Sequence, residues 1–340
     1  MTRTQRRLFA CIVAAVVAPV AIGGGQSRAG ESIGRRGVAL TPANFPKHSG
    51  RDVDAMFTLG KEVASAAVFI YQWNQPDLVS VAAQMIERSR AAGLVPIIGL
   101  SPTVLTGMRG ALDLPAPVAK AVGRRRTFAE KAVHQTFIRD ALELAKLKPP
   151  YLCLATEINL LALSNLKEYL TFAHVYKQLY PLVKKVSPET KVFVSFQWDV
   201  IRIMGVKEPN RIREHTKQIE VFRPELDVVA FTTYPADHFE TPASVPSDYY
   251  EGILQHVQRS EEVMFMEIGW PSTGKGSEQE QAAFIARLPV LLVKVHPSIL
   301  AWSLLHDVRA TALGGDLAST GLADPSGRRK PAFDAFKQLR

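Results

Sequence analysis

Eight times along this chain, a short apolar segment is followed by a loop and an amphipathic helical pattern, and this recurrence restricts the available folds. The apolar segments have the length and composition of β-strands. They are Val38–Pro42, Ala66–Ile70, Val95–Leu100, Tyr151–Thr156, Lys191–Ser195, Val228–Thr233, Val263–Glu267 and Ile299–Leu304. The helical patterns cover roughly residues 51–63, 77–92, 128–147, 165–186, 210–220, 247–259, 278–294 and 331–339.

The alternation of strands and helices predicts a parallel sheet. Eight strand–helix units in about 300 residues are the content of a (β/α)8, or TIM, barrel. The main rival is a doubly wound open sheet, which usually has fewer strands and often a glycine-rich first turn. No G-x-G-x-x-G motif follows a strand here. We therefore predict an α/β fold with one domain, a single (β/α)8 TIM barrel formed by residues 30–340.

The N-terminus has the three parts of a secretory signal peptide. Arginines precede an apolar run from Leu8 to Ile22, and Ser27-Arg28-Ala29 is a small-residue cleavage site. The pair Arg6-Arg7 also resembles part of a twin-arginine signal. The apolar run is too short for a comfortable membrane span. We expect residues 1–29 to be a signal peptide, and the protein to be exported to the periplasm or the medium without a stable membrane anchor.

Charge and cysteine content exclude several classes of partner. The formal charge of +9 falls to +5 without residues 1–29, because that segment holds four arginines and no acids. This surplus is modest, and no basic motif with interleaved aromatic residues accompanies it, so we expect no nucleic-acid partner. One cysteine, Cys153, remains in the barrel and can form no intramolecular disulfide. We expect a monomer.

Aromatic, amide and carboxylate side chains follow the predicted strands. In a barrel, the residues just past each strand face the same bowl. Indole rings pack on the apolar faces of sugars, and amides, phenols and carboxylates bind sugar hydroxyls. The bowl therefore predicts a polysaccharide or oligosaccharide substrate. The predicted substrate-binding residues are Asn44, Trp73, Thr156, Gln197, Trp198, Tyr234, Trp270 and Trp302.

Two glutamates stand at the carboxyl ends of predicted strands: Glu157 follows the fourth, and Glu267 ends the seventh. Glycoside cleavage needs one carboxyl group as acid and a second as nucleophile or base, and a separation of about 5 Å between them gives retention. Apolar neighbours of Glu157 predict an apolar surround that suits the acid. Glu267 must be ionised to attack, and the Tyr234 hydroxyl is the expected hydrogen-bond donor. We predict that Glu157 and Glu267 are the catalytic residues.

These motifs resemble those of clan A glycoside hydrolases, which are retaining (β/α)8-barrel enzymes. Phe265-Met-Glu267-Ile-Gly-Trp-Pro-Ser is similar to their nucleophile strand, and its form is nearest to family 17 β-1,3-glucanases and family 53 endo-β-1,4-galactanases. Thr156-Glu157 stands where the clan has its acid/base, and Thr233-Tyr234-Pro235 resembles the segment whose tyrosine contacts the nucleophile. Trp302 resembles the tryptophan that floors the subsite of the cleaved sugar. The resemblance implies cleavage of a β-linked glycan by double displacement.

One departure from the clan keeps a second function open. Most of these enzymes have asparagine before the acid/base, whereas this chain has Thr156. The alternative is a catalytically inactive barrel that binds carbohydrate. The retention of both glutamates favours the enzyme.

Other chemistries have weaker support in the sequence. The eight histidines are dispersed, and neither H-E-x-x-H nor a Cys/His cluster occurs, so we expect no metal and no cofactor. The segment from Gly269 to Gly276 nearly matches a P-loop, but Gly276 stands where the magnesium-binding Ser or Thr should be. No G-x-S-x-G motif supports serine hydrolysis.

Overall fold

The computed structural model describes residues 33–105, 109–207, 218–258, 261–309 and 315–339. The predicted signal peptide and most of the helical pattern at 210–220 lie outside the described residues. The strands are β1 Arg35–Ala39, β2 Ala66–Gln72, β3 Val95–Ser101, β4 Tyr151–Cys153, β5 Lys191–Phe193, β6 Ser195–Gln197, β7 Val228–Thr233, β8 Glu262–Ile268, β9 Ile299–Trp302, β10 Leu304–His306 and β11 Gly321–Ala323.

Nine of these strands form one parallel sheet in the order β5-β4-β3-β2-β1-β9-β8-β7-β6. The strands at its two ends, β5 and β6, are successive segments of one extended stretch, separated by Val194. The first segment pairs with β4 and the second with β7, so the sheet closes on itself. Counting β5 and β6 as one strand gives eight, and the predicted single (β/α)8 TIM barrel is confirmed.

Helices lie between the strands. They are Gly50–Val63, Leu78–Ala91, Ala116–Val122, Lys131–Lys146, Asn159–Ser164, Leu166–Val186, Trp198–Lys207, Glu278–Leu291 and Pro331–Gln338. Shorter 3-10 helices cover Pro235–Asp237, Pro242–Ser244, Glu251–Gln255 and Gly315–Ser319. The helix expected at 247–259 is therefore only a short 3-10 turn, and three helices, at 116–122, 159–164 and 198–207, were not predicted.

The first strand begins three residues earlier than its apolar run indicates. Arg35 and Arg36 pair in register with Ile299 and Leu300 of β9. These arginines lie at the amino-end rim of the barrel, and neither is buried. Hydropathy therefore misses them although their backbone belongs to the sheet.

A continuous apolar core fills the barrel and the layer beneath the helices. Beyond β9, the short strands β10 and β11 pair with each other and lead the chain into the C-terminal helix. Within the described part of the chain, no helix is long and apolar enough to cross a membrane.

Candidate active site

Glu267 lies one residue before the carboxyl end of β8, next to a β-bulge. Phe231 of β7 pairs with Phe265, but the next residue, Thr232, pairs with Glu267, so Met266 is the extra residue. Bulges are common beside active sites because they change the direction in which a side chain points. Here the irregularity occurs at the carboxylate that the sequence singles out.

The Glu267 carboxyl group is partly buried and has one directed donor. Tyr234 Oη donates a hydrogen bond to Glu267 Oε2 at 2.5 Å, as expected from the sequence. Burial, together with the negative charge of Glu157, raises the pKa of Glu267 to about 7, and the Tyr234 hydrogen bond and the Arg109 charge oppose this rise. Burial and the charge of Glu267 hold the pKa of Tyr234 well above its usual range, so this hydroxyl stays a donor.

Glu157 has a different environment from the one predicted. The expected apolar surround is wrong, because Arg109 Nε donates to Glu157 Oε2 at 2.7 Å and Thr232 Oγ1 donates to Oε1 at 2.9 Å. Each side chain of the ion pair is 11% exposed. Both carboxyl oxygens are thus occupied by donors from the protein.

The backbone at Glu157 is strained. Its φ of 50° lies in the left-handed region, which non-glycine residues rarely adopt. The Glu157 N–H donates to Ser195 Oγ at 3.0 Å, which ties the turn after β4 to β6. Such strain persists where the surrounding structure fixes the conformation, and it is common at functional sites.

Asp199 positions the tyrosine that contacts Glu267. This buried carboxylate accepts the backbone N–H of Tyr234 at 2.8 Å, the Thr233 hydroxyl at 2.8 Å and the Tyr249 hydroxyl at 2.5 Å. Asp199 stands in the first turn of the unpredicted helix Trp198–Lys207. Asp199 follows the predicted binding residues Gln197 and Trp198 in the chain, and the sequence gives no indication of this bonding role.

All four tryptophans are packed into the interior. Trp73, Trp198, Trp270 and Trp302 are at most 2% exposed, and each contacts a phenylalanine ring. Three indole N–H groups bond within the protein, to Asp140 Oδ2, Tyr249 O and Thr320 O. None of these four indoles presents the open face that was expected to stack on a sugar ring. Contact of these indoles with a substrate stays a prediction.

The remaining predicted binding residues have separate environments. Asn44 is exposed, and its Nδ2 lies 3.4 Å from Asp52 Oδ1. Thr156 is buried, and its hydroxyl has no partner among the described residues; the same holds for Gln197 Oε1. Buried oxygens without partners are rare in folded proteins. The structure thus brings Glu157, Glu267 and Tyr234 into one cluster and leaves Asn44 apart from these contacts.

Metal-binding and thiol chemistry find no support at the site. No group of three or more His, Cys, Asp or Glu side chains in the described ranges could hold a metal ion. Cys153 is fully buried, and burial raises the pKa of its thiol to about 12. A buried thiol of this kind is inert.

Known structures share this architecture. No protein-family model matches the chain, and no curated protein matches it in sequence. Among solved structures, the exo-β-1,4-mannosidase Op5Man5 from Opitutaceae bacterium strain TAV5 matches with a TM-score of 0.66 and 13% identity, covering 92% of this chain and 60% of that one. The chain therefore spans less than two thirds of the length of that protein.

Two further structures match at similar identity. A GH5 subfamily 18 protein from Streptomyces cattleya, in complex with GlcNAc, has a TM-score of 0.71 and 16% identity, covering 91% of this chain and 80% of that one. The GH53 catalytic domain from Ignisphaera aggregans has a TM-score of 0.62 and 18% identity, covering 94% and 99%. The predicted likeness to clan A barrels, family 53 among them, is thus confirmed as one of fold: the chain has the (β/α)8 barrel of these glycoside hydrolase structures.

Proposed function

We propose that this protein is a retaining glycoside hydrolase that cleaves a β-linked polysaccharide or oligosaccharide. The observation that carries the proposal is the pair of carboxyl groups with different donors at the carboxyl end of the barrel, where Tyr234 Oη bonds Glu267 and Arg109 Nε bonds Glu157; burial and the charge of Glu157 raise the pKa of Glu267 to about 7. Pairs of titratable groups whose environments separate their protonation are typical of acid/base sites. The shared fold of the glycoside hydrolase structures supports the same class.

The proposed reaction has two steps. In the first, Glu267 attacks the anomeric carbon while Glu157 gives a proton to the glycosidic oxygen, so the glycosidic bond breaks and a glycosyl ester forms on Glu267. In the second, Glu157 takes a proton from water, whose oxygen attacks the anomeric carbon and releases Glu267. Tyr234 stabilises the carboxylate of Glu267 before the first step and after the second.

The ion pair at Glu157 supports a second candidate, a barrel that binds carbohydrate without cutting it. Arg109 and Thr232 each donate to the Glu157 carboxyl group, so both of its oxygens are engaged within the protein instead of facing a leaving group. The burial of the tryptophans concerns only the surfaces on which sugar rings would stack. It does not close off the two residues beside the carboxylate pair, since Glu267 and Tyr234 keep exposed area.

We also propose export through residues 1–29, because the arginines, the apolar run from Leu8 to Ile22 and the small residues up to Ala29 follow the pattern of a secretory signal peptide. N-terminal sequencing of the mature protein from a bacterial host tests it. A mature chain that begins near residue 30 is expected, and an uncleaved chain contradicts the proposal.

The enzyme proposal is tested by measuring reducing ends released from β-1,3-glucan, β-1,4-galactan and β-1,4-mannan, and from the same three glycans carrying carboxylates at C6. We expect one of them to be cleaved, and Glu157→Gln to lower the rate by roughly 10²–10⁴-fold, the usual share of acid/base catalysis. Glu267→Gln should lower it at least as much. Glu143→Gln, in an exposed ion pair with Lys146, is the control and should leave the rate unchanged.

The outcomes separate the candidates. Proton NMR of the first product should show the anomer with retained configuration, and inversion would contradict the double displacement. If the unmodified protein releases nothing yet binds one of the glycans, the inactive binding barrel is correct.

A further inference from the structure

Arg109 is a guanidinium at the carboxyl end of the barrel that the predicted chemistry does not use. Its Nε donates to Glu157 Oε2 at 2.7 Å, and its Nη1 donates to Ser101 Oγ at 3.1 Å. Among the described residues, no partner is assigned to its Nη2. A guanidinium offers five donors in a planar fork that suits carboxylates, sulfates and phosphates. Part of this fork is available to an incoming anion.

The backbone of the loop fixes Arg109 in place. Thr103 and Leu112 form an antiparallel bridge, and two backbone hydrogen bonds, Val104 N to Ala111 O and Asp113 N to Pro102 O, flank it at 3.0 and 2.8 Å. Arg109 itself has a φ of 53°, in the left-handed region. A strained conformation of a non-glycine residue is retained only when the surroundings determine it. The loop after β3 therefore directs this side chain at Glu157.

The pairing has a consequence for any substrate. Glu157 must leave Arg109 before it can carry a proton to a glycosidic oxygen, because its two carboxyl oxygens accept hydrogen bonds from Arg109 and Thr232. Both side chains are 11% exposed, so a neutral sugar that separates them leaves the Arg109 guanidinium without a counter-charge where water hardly reaches it. An anionic group on the substrate removes this penalty, because it replaces Glu157 as the partner of Arg109.

We propose that Arg109 makes this site selective for acidic β-linked glycans, whose carboxylate or sulfate next to the scissile bond takes the guanidinium from Glu157. This inference rests on the proposed function, since it names the substrate class of that same site. Binding of the anionic group to Arg109 then releases Glu157 to act as the acid. A substrate that lacks the anionic group leaves Glu157 paired.

Matched glycans test the selectivity without relying on turnover. We take short oligosaccharides of β-1,3-glucan, β-1,4-galactan and β-1,4-mannan, and the same oligosaccharides oxidised at C6 from alcohol to carboxylate. Isothermal titration calorimetry should show at least tenfold tighter binding of one carboxylated oligosaccharide than of its neutral parent. The preference should weaken as NaCl rises, because charge pairing is screened.

Variants assign the preference to Arg109. Arg109→Gln should abolish it, whereas Arg109→Lys keeps the charge and should retain part of it. Arg124→Gln removes the same charge from an exposed position in the same connection and should leave the preference intact. Thermal melting of each variant separates loss of fold from loss of selectivity, and the salt dependence of the unmodified protein stands as evidence even if Arg109→Gln does not fold.

Each possible outcome of these measurements supports or overturns the inference. Equal or tighter binding of the neutral parents overturns the inference and leaves the proposed function intact. An unchanged preference in Arg109→Gln also overturns it. Binding of none of the glycans overturns the inference together with the proposed function.

Discussion

Glu267 must be ionised to act as a nucleophile, but the burial of its carboxyl group disfavours the ionised form. Burial and the charge of Glu157 raise its pKa to about 7, and only Tyr234 and Arg109 oppose the rise. A glycosyl nucleophile with this pKa is fully active only above neutral pH, unless substrate binding changes the balance. Burial and the Glu157 charge therefore favour the neutral form of Glu267, and the Tyr234 hydrogen bond and the Arg109 charge favour its ionised form.

This raised pKa predicts a pH dependence of stability. The ordinary pKa is 4.5, so between pH 4.5 and about 7 the folded protein holds a proton that the unfolded chain has released. The contribution is present below pH 4.5 and is lost as pH rises through 7, by up to about 3 kcal/mol. Urea unfolding at pH 5 and pH 7.5 measures it. Glu267→Gln should remove this part of the decline, and Glu143→Gln should not.

An equal decline in the Glu267→Gln variant and the unmodified protein would show that Glu267 keeps an ordinary pKa. It would also weaken the case that the two carboxyl groups act as a pair.

Residues differ in how well the sequence predicts them. The Tyr234–Glu267 hydrogen bond follows from the strand positions, because the ends of β7 and β8 are neighbours in a barrel. Arg109 does not, because it reaches Glu157 from a long loop whose path depends on contacts distant in sequence. The sequence does contain one indication of such a residue. A carboxylate at the end of a barrel strand usually has a cationic partner, and the connection after β3 contains arginines that could supply it.

At the scale of elements, the turn after β8 depends on Gly269. A Cβ there would lie 2.6 Å from Ser303 Oγ and 2.9 Å from Tyr234 Cε1. Both distances are below van der Waals contact, so the tyrosine ring that bonds Glu267 needs a residue without a side chain at this position.

We therefore expect Gly269→Ala to displace the Tyr234 ring and destabilise the protein by about 1–3 kcal/mol through overpacking. The rate of cleavage of the glycan that the reducing-end assay identifies as substrate should fall together with the stability. Urea unfolding and initial rates measure the two effects. Gly50→Ala is the matched control, since a Cβ at position 50 meets nothing within 4 Å, and it should be neutral. A Gly269→Ala protein with unchanged stability and rate would show that the turn accommodates a side chain.

Element boundaries follow the sequence where burial is uniform. The strand Val228–Thr233 is buried at every position and has the predicted bounds. The helix Trp198–Lys207 was missed, because Val200, Ile201 and Ile203 are β-branched and have low intrinsic helix propensity. Contacts of Trp198 with Phe231 and Tyr249 hold that helix, and such contacts are distant in sequence.

For the whole molecule, the count of strand–helix units predicts the closed barrel, but not how its carboxyl end is filled. Trp270 follows β8 and Trp302 is the last residue of β9, yet both pack on Phe284 of the helix Glu278–Leu291. Whether an indole faces the bowl or the helical layer depends on backbone direction at the strand end. Sequence spacing does not determine that direction.

The C-terminal tail completes the barrel through a buried ion pair. Lys330 is 2% exposed in its side chain, and its Nζ lies 2.6 Å from Asp307 Oδ2, beyond β10. The same ammonium donates to Ser272 Oγ at 2.7 Å, in the turn that follows Glu267 and Trp270. One cation therefore joins the tail to two loops at the carboxyl end of the barrel.

Because its partners are buried, Lys330→Met should leave the Asp307 carboxylate without a counter-charge and destabilise the protein by about 3–5 kcal/mol. For a chain of this size the melting temperature should fall by roughly 10 °C, measured by calorimetry. The control Lys146→Met breaks an exposed pair, with side chains 57% and 43% exposed, and should change stability by no more than about 0.5 kcal/mol. The double variant Lys330→Met with Asp307→Leu should recover most of the loss, because no buried charge remains. If Lys330→Met melts with the unmodified protein, the tail does not stabilise the barrel through this pair.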